Sequence, residues 1–166
     1  MNKEIFLACD MDGVLTNWEG HFEDRMGYHY LTISRNESYK VTKTFPVEWW
    51  GTMPWMEDGK ELWKFLSDNF EDLHILTAPT QDSEQKSEKG KHLWLKKEGF
   101  IEQLGIDNIH VTKDKHLYVK EDTVSILVDD TQKKIDKWRA AGGIGILHTD
   151  TKSTLLELKK HLTNYK

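Results

Sequence analysis

Residues 5–13 read Ile5-Phe6-Leu7-Ala8-Cys9-Asp10-Met11-Asp12-Gly13, so that five apolar residues are followed by two carboxylates one residue apart. The apolar run predicts a buried strand. Asp10 and Asp12 then follow the carboxyl end of that strand, where open α/β folds hold their ligands, and Gly13 allows a sharp turn. Because neighbouring carboxylates repel each other unless a cation or a proton joins them, the pair indicates a divalent metal and an Asp that is free to attack phosphorus.

Apolar strands and helices alternate along the rest of the chain. Strands are predicted at 4–9, 73–77, 108–112, 124–128 and 144–147, and helices at 59–70, 88–98, 132–141 and 153–162. Continuous apolar strands that alternate with helices are typical of parallel sheets covered on both faces. The sequence therefore predicts an α/β fold with a doubly wound, mainly parallel five-stranded sheet of the Rossmann type.

Residues 17–57 interrupt this alternation. They are aromatic and polar, without a clear helix or strand period, and we interpret them as a small insertion. The predicted organisation is a catalytic core formed by 1–16 and 58–166, with 17–57 as a cap.

Composition narrows the class of protein. The chain has 166 residues, a net charge of −5 and one cysteine, which favours a single domain in a reducing compartment, and we expect a cytoplasmic protein. No apolar run reaches the roughly 20 residues that span a bilayer, and residues 1–4 do not resemble a signal peptide. The acidic charge argues against nucleic-acid polymers as partners. No motif indicates an oligomeric state.

Polar side chains follow three of the predicted strands, and a lysine lies just past a fourth. The group comprises Asp10, Asp12, Thr77, Lys115, Asp129 and Asp130. Because the carboxyl ends of parallel strands meet at one edge of a sheet, we expect these side chains to converge. Together they supply a nucleophile, metal ligands, a hydroxyl donor and a cation, which is the chemistry that phosphoryl transfer needs. A calcium-binding EF-hand loop is excluded, since its required Gly and Glu positions hold Leu15 and His21.

The order, strand context and residue types of five stretches resemble the haloacid-dehalogenase-like phosphatases over residues 4–148, and most of all the 5'(3')-deoxyribonucleotidases, although the spacing from Lys115 to Asp129 is longer than usual. The stretches are Asp10-Met11-Asp12-Gly13-Val14-Leu15, Leu76-Thr77-Ala78-Pro79, Lys91-His92-Leu93-Trp94, Thr112-Lys113-Asp114-Lys115 and Leu127-Val128-Asp129-Asp130. Similar enzymes carry Ser where this chain has Ala78, and Arg where it has Thr131. These departures bear on the substrate more than on the chemistry.

The resemblance implies a Mg²⁺ site and a pair of catalytic carboxylates. Asp10 would be the nucleophile that forms an aspartyl-phosphate, and its other oxygen would bind the metal. Asp12 would act as general acid and then as general base, while its backbone carbonyl ligates the metal. Asp130 would be the second carboxylate ligand, and Asp129 would orient Lys115 or a metal-bound water.

The resemblance also implies how the phosphate is held. Thr77 and the backbone N–H of Ala78 would bind phosphate oxygens. Lys115 would neutralise the phosphate charge, and Lys91 would add charge to the same site. None of these four residues would signal a function on its own, because each residue type is common at strand ends and on surfaces.

Aromatic residues of the insertion are candidates for the substrate pocket. The chain has seven Trp, and Phe45, Trp49 and Trp50 lie in the segment that forms a cap in similar phosphatases. Trp18 matches an aromatic position that lines the base pocket in the nucleotidases. Such rings stack on a nucleobase in some proteins and serve as packing material in others, and the sequence leaves both open.

The resulting expectation is a Mg²⁺-dependent phosphomonoesterase that acts on nucleoside monophosphates, above all those of deoxyribonucleosides, through an aspartyl-phosphate. Two alternatives remain at this stage. One is a phosphatase of another small phosphorylated metabolite or of a nucleic-acid terminus. The other is a fold that has lost catalysis and serves as a binding module.

Overall fold

A single five-stranded sheet forms the centre of the computed structural model, which describes residues 4–165. The strands are β1 (Ile5–Cys9), β2 (Asp72–Thr77), β3 (Ile109–Val111), β4 (Val124–Asp129) and β5 (Ile144–Leu147). All neighbours pair in parallel, in the order β3-β2-β1-β4-β5. The predicted parallel five-stranded sheet is therefore confirmed. The expected start of the core at residue 1 and its end at residue 166 lie outside the described residues.

Eight α-helices accompany the strands within residues 4–165. They are α1 (Trp18–Met26), α2 (Arg35–Thr42), α3 (Val47–Gly51), α4 (Gly59–Asn69), α5 (Glu84–Lys97), α6 (Phe100–Leu104), α7 (Gln132–Ala140) and α8 (Thr151–Tyr165). The helices predicted after β1, β4 and β5 are present, with shifted ends, and α6 was not predicted. Within this range no helix combines the length and the apolar character that a membrane span requires.

Helix α5 begins four residues before its predicted start. Its buried side is formed by Ser87, Gly90 and Lys91 before it reaches Trp94 and Leu95, so the first two turns show no apolar stripe. A Cβ atom on Gly90 would lie 2.5 Å from the carbonyl oxygen of Val47. Helices α3 and α5 therefore approach each other closely because this position has no side chain.

The segment 17–57 is helical rather than irregular. Its helices are short, and half of their buried residues are aromatic while the others are Ser, Thr or Gly, which explains why no clear period is visible in the sequence. Phe22, Trp49 and Trp50 belong to the same buried cluster as Leu7 of β1. The segment thus shares the apolar cluster that includes one face of the sheet, and its separation as a cap domain stays a prediction.

The opposite face of the sheet carries a smaller apolar cluster. Phe6 and Leu127 on the strands pack there against Ile135 and Trp138 of α7. The indole N–H of Trp138 donates to the backbone carbonyl of Ser125 at 3.2 Å, so the polar atom of this buried ring is satisfied. With both faces covered, β1 and β4 are buried along almost their whole length, in agreement with their continuous apolar sequences.

Replacing the buried imidazole that follows β5 should make the protein less sensitive to acid. His148 is 4% exposed and its Nδ1 lies 2.8 Å from the Thr154 hydroxyl. Burial lowers its pKa, outweighing the opposite effect of Asp58 and Asp150. His148 therefore binds a proton more readily in the unfolded chain than in the folded protein. As a result, the free energy of unfolding falls as the pH drops through about 6.5.

We expect His148→Asn to show a smaller fall in Tm between pH 7.5 and pH 5.5 than the native protein. The difference should be reduced rather than abolished, because burial also lowers the pKa of His21 and His110. His161→Asn, at a half-exposed position on α8, is the matched control and should keep the native pH dependence. An unchanged pH dependence in His148→Asn would contradict the assignment.

Candidate active site

The pairing of β1 with β4 brings the main acidic residues together. Cys9 is in register with Val128, and the N–H of Asp10 donates to the Val128 carbonyl at 2.9 Å. Asp10 and Asp129 therefore leave neighbouring strands at the same level. One carboxylate oxygen from each of Asp10, Asp129 and Asp130 lies within 4.8 Å of the others. The sheet thus produces the acidic edge that the sequence predicts.

Lys115 forms ion pairs with two of these carboxylates. It lies in a short 3₁₀ turn after β3, and its Nζ is 2.7 Å from Asp10 Oδ1 and 2.6 Å from Asp129 Oδ2. Burial alone would raise the pKa of Asp10, but the charge and hydrogen bond of Lys115, together with the charges of Lys134 and Lys91, outweigh burial and lower that pKa. Burial is likewise outweighed by the two carboxylates, which raise the pKa of Lys115. Asp10 is therefore ionised, as a nucleophile must be.

The other two carboxylates of the cluster are electrostatically strained. Burial, followed by the charge of Asp10, raises the pKa of Asp129. Loss of surrounding water, together with the charges of Asp10 and Asp129, raises the pKa of Asp130 to about 7. A cation placed among these oxygens would relieve that repulsion. The donors are all oxygen atoms, which suits a hard divalent cation such as Mg²⁺.

Local backbone geometry makes room for this arrangement. Gly13 has φ +78°, and a Cβ atom there would lie 2.0 Å from Asp130 Oδ2. Asp129 has both oxygens engaged, one with Lys115 and one with the N–H of Thr131 at 2.8 Å. Asp10 and Asp130 are consequently the carboxylates best able to hold a metal, while Asp129 holds Lys115.

Asp12 lies apart from the acidic cluster and is held by two other side chains. The Thr16 hydroxyl donates to its Oδ1 at 2.9 Å, and Lys91 Nζ lies 2.8 Å from its Oδ2. Lys91 reaches the site from α5 and also donates to Thr77 Oγ1 at 3.0 Å and to the Ala78 carbonyl at 2.6 Å. The ends of β1 and β2 and helix α5 are therefore joined at this point.

These groups border a cavity of about 360 Å³. Its lining includes Asp10, Asp12, Gly13, Trp18, Glu19, Tyr30, Arg35, Tyr39, Thr77, Ala78, Pro79, Thr80, Gln81, Lys113, Asp130, Thr131 and Lys134. Six of the predicted site residues are thus brought to one cavity. Lys91, Lys115 and Asp129 lie beneath its surface, since they are 1%, 2% and 0% exposed. They act on the cavity through the residues they contact.

Phe45, Trp49 and Trp50 do not line this cavity, which corrects the prediction that they form the substrate pocket. Phe45 and Trp50 are fully buried, and Trp49 lies between them with ring centroids 4.7 and 5.2 Å away. The Trp50 indole N–H donates to Thr80 Oγ1 at 3.1 Å and so supports a residue of the cavity wall. Of the two roles that the sequence left open for these three rings, the structure therefore favours packing.

Trp18 is the predicted aromatic residue that does reach the cavity. It stacks on Phe22 with ring centroids 5.3 Å apart and meets Tyr30 edge-on at 5.5 Å. The Tyr30 hydroxyl donates to Glu19 at 3.0 Å, and burial followed by the charge of Glu19 raises the pKa of Tyr30 to about 12. One wall of the cavity is therefore aromatic, with polar groups at its rim.

Arg35 and Tyr39 also contribute to the cavity and were not predicted. They lie four residues apart on α2, which places them on one helix face, and the guanidinium sits 5.7 Å from the Tyr39 ring centroid. A sequence signal for this helix exists. Ser34 and Glu37 form a capping box, with the Ser34 hydroxyl accepting from Glu37 N and the Glu37 carboxylate accepting from Ser34 N.

Two solved structures are similar to this chain. One is a hydrolase from Streptococcus pneumoniae TIGR4, with 14% identity and a TM-score of 0.48, covering 98% of this chain and 100% of that one. The other is a HAD family hydrolase from Deinococcus radiodurans R1 with bound phosphate and sodium, with 15% identity and a TM-score of 0.49, covering 90% and 83%. No protein-family model and no curated protein matches the chain. Similarity at these identities and TM-scores does not establish a function for this chain.

A methyl group at position 13 should disrupt the acidic cluster. We expect Gly13→Ala to push the Asp130 carboxylate aside and to weaken Mg²⁺ binding about tenfold or more, measured by calorimetric titration. Gly27→Ala is the matched control, because Gly27 has φ +76° but open space around the added Cβ. Both variants should lose about 1–2 kcal/mol of stability from the left-handed backbone. Native Mg²⁺ affinity in Gly13→Ala would contradict this.

Proposed function

We propose that the protein is a Mg²⁺-dependent phosphomonoesterase of the haloacid-dehalogenase-like type that works through an aspartyl-phosphate. The observation that carries this proposal is the arrangement around Asp10. It is ionised by its ion pair with Lys115 and lines the same cavity as Asp130 and Thr77. An anionic nucleophile with a metal site and hydroxyl and amide donors beside it suits transfer of a phosphoryl group.

The two aspartates that follow β1 have different roles in the reaction. A carboxylate oxygen of Asp10 attacks phosphorus, the bond from phosphorus to the ester oxygen breaks, and that oxygen takes the electron pair and a proton from Asp12. In the second step Asp12 accepts a proton from water as the water oxygen attacks phosphorus. The bond from Asp10 to phosphorus then breaks, and inorganic phosphate leaves.

The remaining groups bind and orient the phosphate. The Thr77 hydroxyl and the Ala78 N–H lie at the end of β2 and would donate to phosphate oxygens. Mg²⁺ would be held by Asp10, by Asp130 and by the backbone carbonyl of Asp12. When bound, it supplies positive charge against the phosphate oxygens. Lys115 keeps the Asp10 carboxylate in place and ionised.

We further propose that the substrate is a nucleoside monophosphate. A cavity of about 360 Å³ lies within the range of small-molecule sites. Its lining includes Trp18, Tyr30 and Tyr39, and aromatic rings stack on any nucleobase. This arrangement supports a substrate with a flat aromatic portion beyond its phosphate.

Phosphatase activity is tested directly by a screen of phosphorylated metabolites that includes all 5'- and 3'-mononucleotides. We expect turnover in Mg²⁺, loss of turnover in excess chelator, and a decrease of about 10³-fold or more in Asp10→Asn. That variant should keep its fold, since Lys115 retains its ion pair with Asp129. Full activity in chelator, or native rates in Asp10→Asn, would disprove the mechanism.

Substrate preference is tested at Trp18. Stacking of a base on an aromatic ring contributes about 1–3 kcal/mol, so Trp18→Ala should raise KM for the preferred nucleotide roughly 5- to 150-fold. KM for glycerol phosphate, which has no base, should change little, and Trp18→Phe should retain most of the preference. Equal losses on both substrates would assign Trp18 to packing. Glycerol phosphate as the better substrate of the native protein would leave a phosphatase of other metabolites.

A further inference from the structure

We infer that Lys91 is a positioning residue for the proton transfer by Asp12, rather than a ligand of the substrate phosphate. This inference rests on the proposed phosphatase function. It departs from the expectation for Lys91 drawn from the sequence, which was that its charge contacts the phosphate. The reason lies in how its ammonium group is bonded.

The ammonium group of Lys91 is surrounded by partners from the protein itself. Nζ donates to Thr77 Oγ1 at 3.0 Å and to the Ala78 carbonyl at 2.6 Å. It also forms an ion pair with Asp12 Oδ2 at 2.8 Å. The side chain is 1% exposed and does not border the cavity. A substrate phosphate would have to displace one of these partners to reach it.

Lys115 is the other buried lysine of the site. Its Nζ donates to Asp10 Oδ1 and to Asp129 Oδ2. Like Lys91, it lies beneath the surface of the cavity. The two buried lysines thus have different partners. Lys115 contacts the nucleophile Asp10, and Lys91 contacts Asp12, the residue that transfers the proton.

Lys91 fixes the orientation of the Asp12 carboxylate. Thr16 donates to Oδ1 and Lys91 forms an ion pair with Oδ2, so rotation of the group would break a hydrogen bond on one side and an ion pair on the other. Because an ammonium only donates, a proton carried by Asp12 lies on Oδ1 and not between Oδ2 and Nζ. Without Lys91, both the orientation of the carboxylate and the oxygen that carries the proton would be free to change.

The position of Lys91 is itself rigidly determined. Its neighbour Gly90 packs so closely on α3 that a Cβ atom would lie 2.5 Å from the Val47 carbonyl and 2.6 Å from Trp50 Cβ. Lys91 also donates to Thr77 Oγ1, which directs the hydroxyl hydrogen of Thr77 away from the ammonium. The packing of the segment 17–57 on α5 is therefore connected to the proton-transfer residue by a single side chain.

The experiment compares two phosphate esters that differ in their leaving group. Nitrophenyl phosphate releases a phenolate that departs without protonation, whereas glycerol phosphate releases an alkoxide that needs the proton of Asp12. We expect Lys91→Met to raise the ratio of kcat/KM for nitrophenyl phosphate over glycerol phosphate by about tenfold or more, as Asp12→Asn should. The inhibition constant of inorganic phosphate should stay within about threefold of native, because a lost direct ligand would weaken it about tenfold or more.

A matched control is available on the same helix. Lys89→Met removes an exposed lysine two residues away and should leave both substrates and phosphate inhibition unchanged. Lys91→Gln, which keeps an amide donor, provides the same comparison if the Met variant does not fold. Equal losses on both esters, with weaker phosphate inhibition, would overturn the inference while the phosphatase proposal stands. A native protein inactive on both esters and on nucleotides would overturn the two together.

Discussion

The ammonium of Lys115 lies between the carboxylates of Asp10 and Asp129, and the geometry of the site depends on this buried group of three charges. Each partner comes from a different element, namely the end of β1, the turn after β3 and the end of β4. Removing Lys115 would leave two buried carboxylates without their cation and would cost about 3–5 kcal/mol. The register of the sheet and the turn after β3 therefore have to agree for the protein to fold with its site formed.

The same group explains how one edge tolerates so many acidic residues. Lys115 compensates Asp10, and the remaining repulsion raises the pKa values of Asp129 and Asp130. A divalent cation at this edge would favour the ionised forms of all three carboxylates. Gly13 contributes by leaving space for Asp130 where any side chain would collide with it. Charge and backbone geometry thus both favour a cation at this edge, next to the ionised Asp10.

The aromatic residues between β1 and α4 have two roles, since some pack in the core and others line the cavity. Trp49 and Trp50 pack with Phe45 in the core, where large rings bury much apolar surface in a short stretch of chain. Trp18, Tyr30 and Tyr39 border the cavity instead. Through the contact of α3 with α5, the packed rings also hold the helix that carries Lys91. Packing in this segment and the position of polar groups at the site are consequently linked.

The sequence by itself determined the α/β class, the parallel sheet and the acidic edge. Continuous apolar strands dictate burial on both faces, and parallel strands must end at one edge, so Asp10, Thr77 and Asp129 meet there for topological reasons. Only the tertiary structure decided which aromatic rings reach the cavity, because burial depends on neighbours distant in sequence. It alone also showed that the buried Lys91 contacts Asp12, Thr77 and Ala78 and that Arg35 and Tyr39 line the cavity. Those facts depend on how α2, α3 and α5 pack, and local periodicity carries no information about that packing.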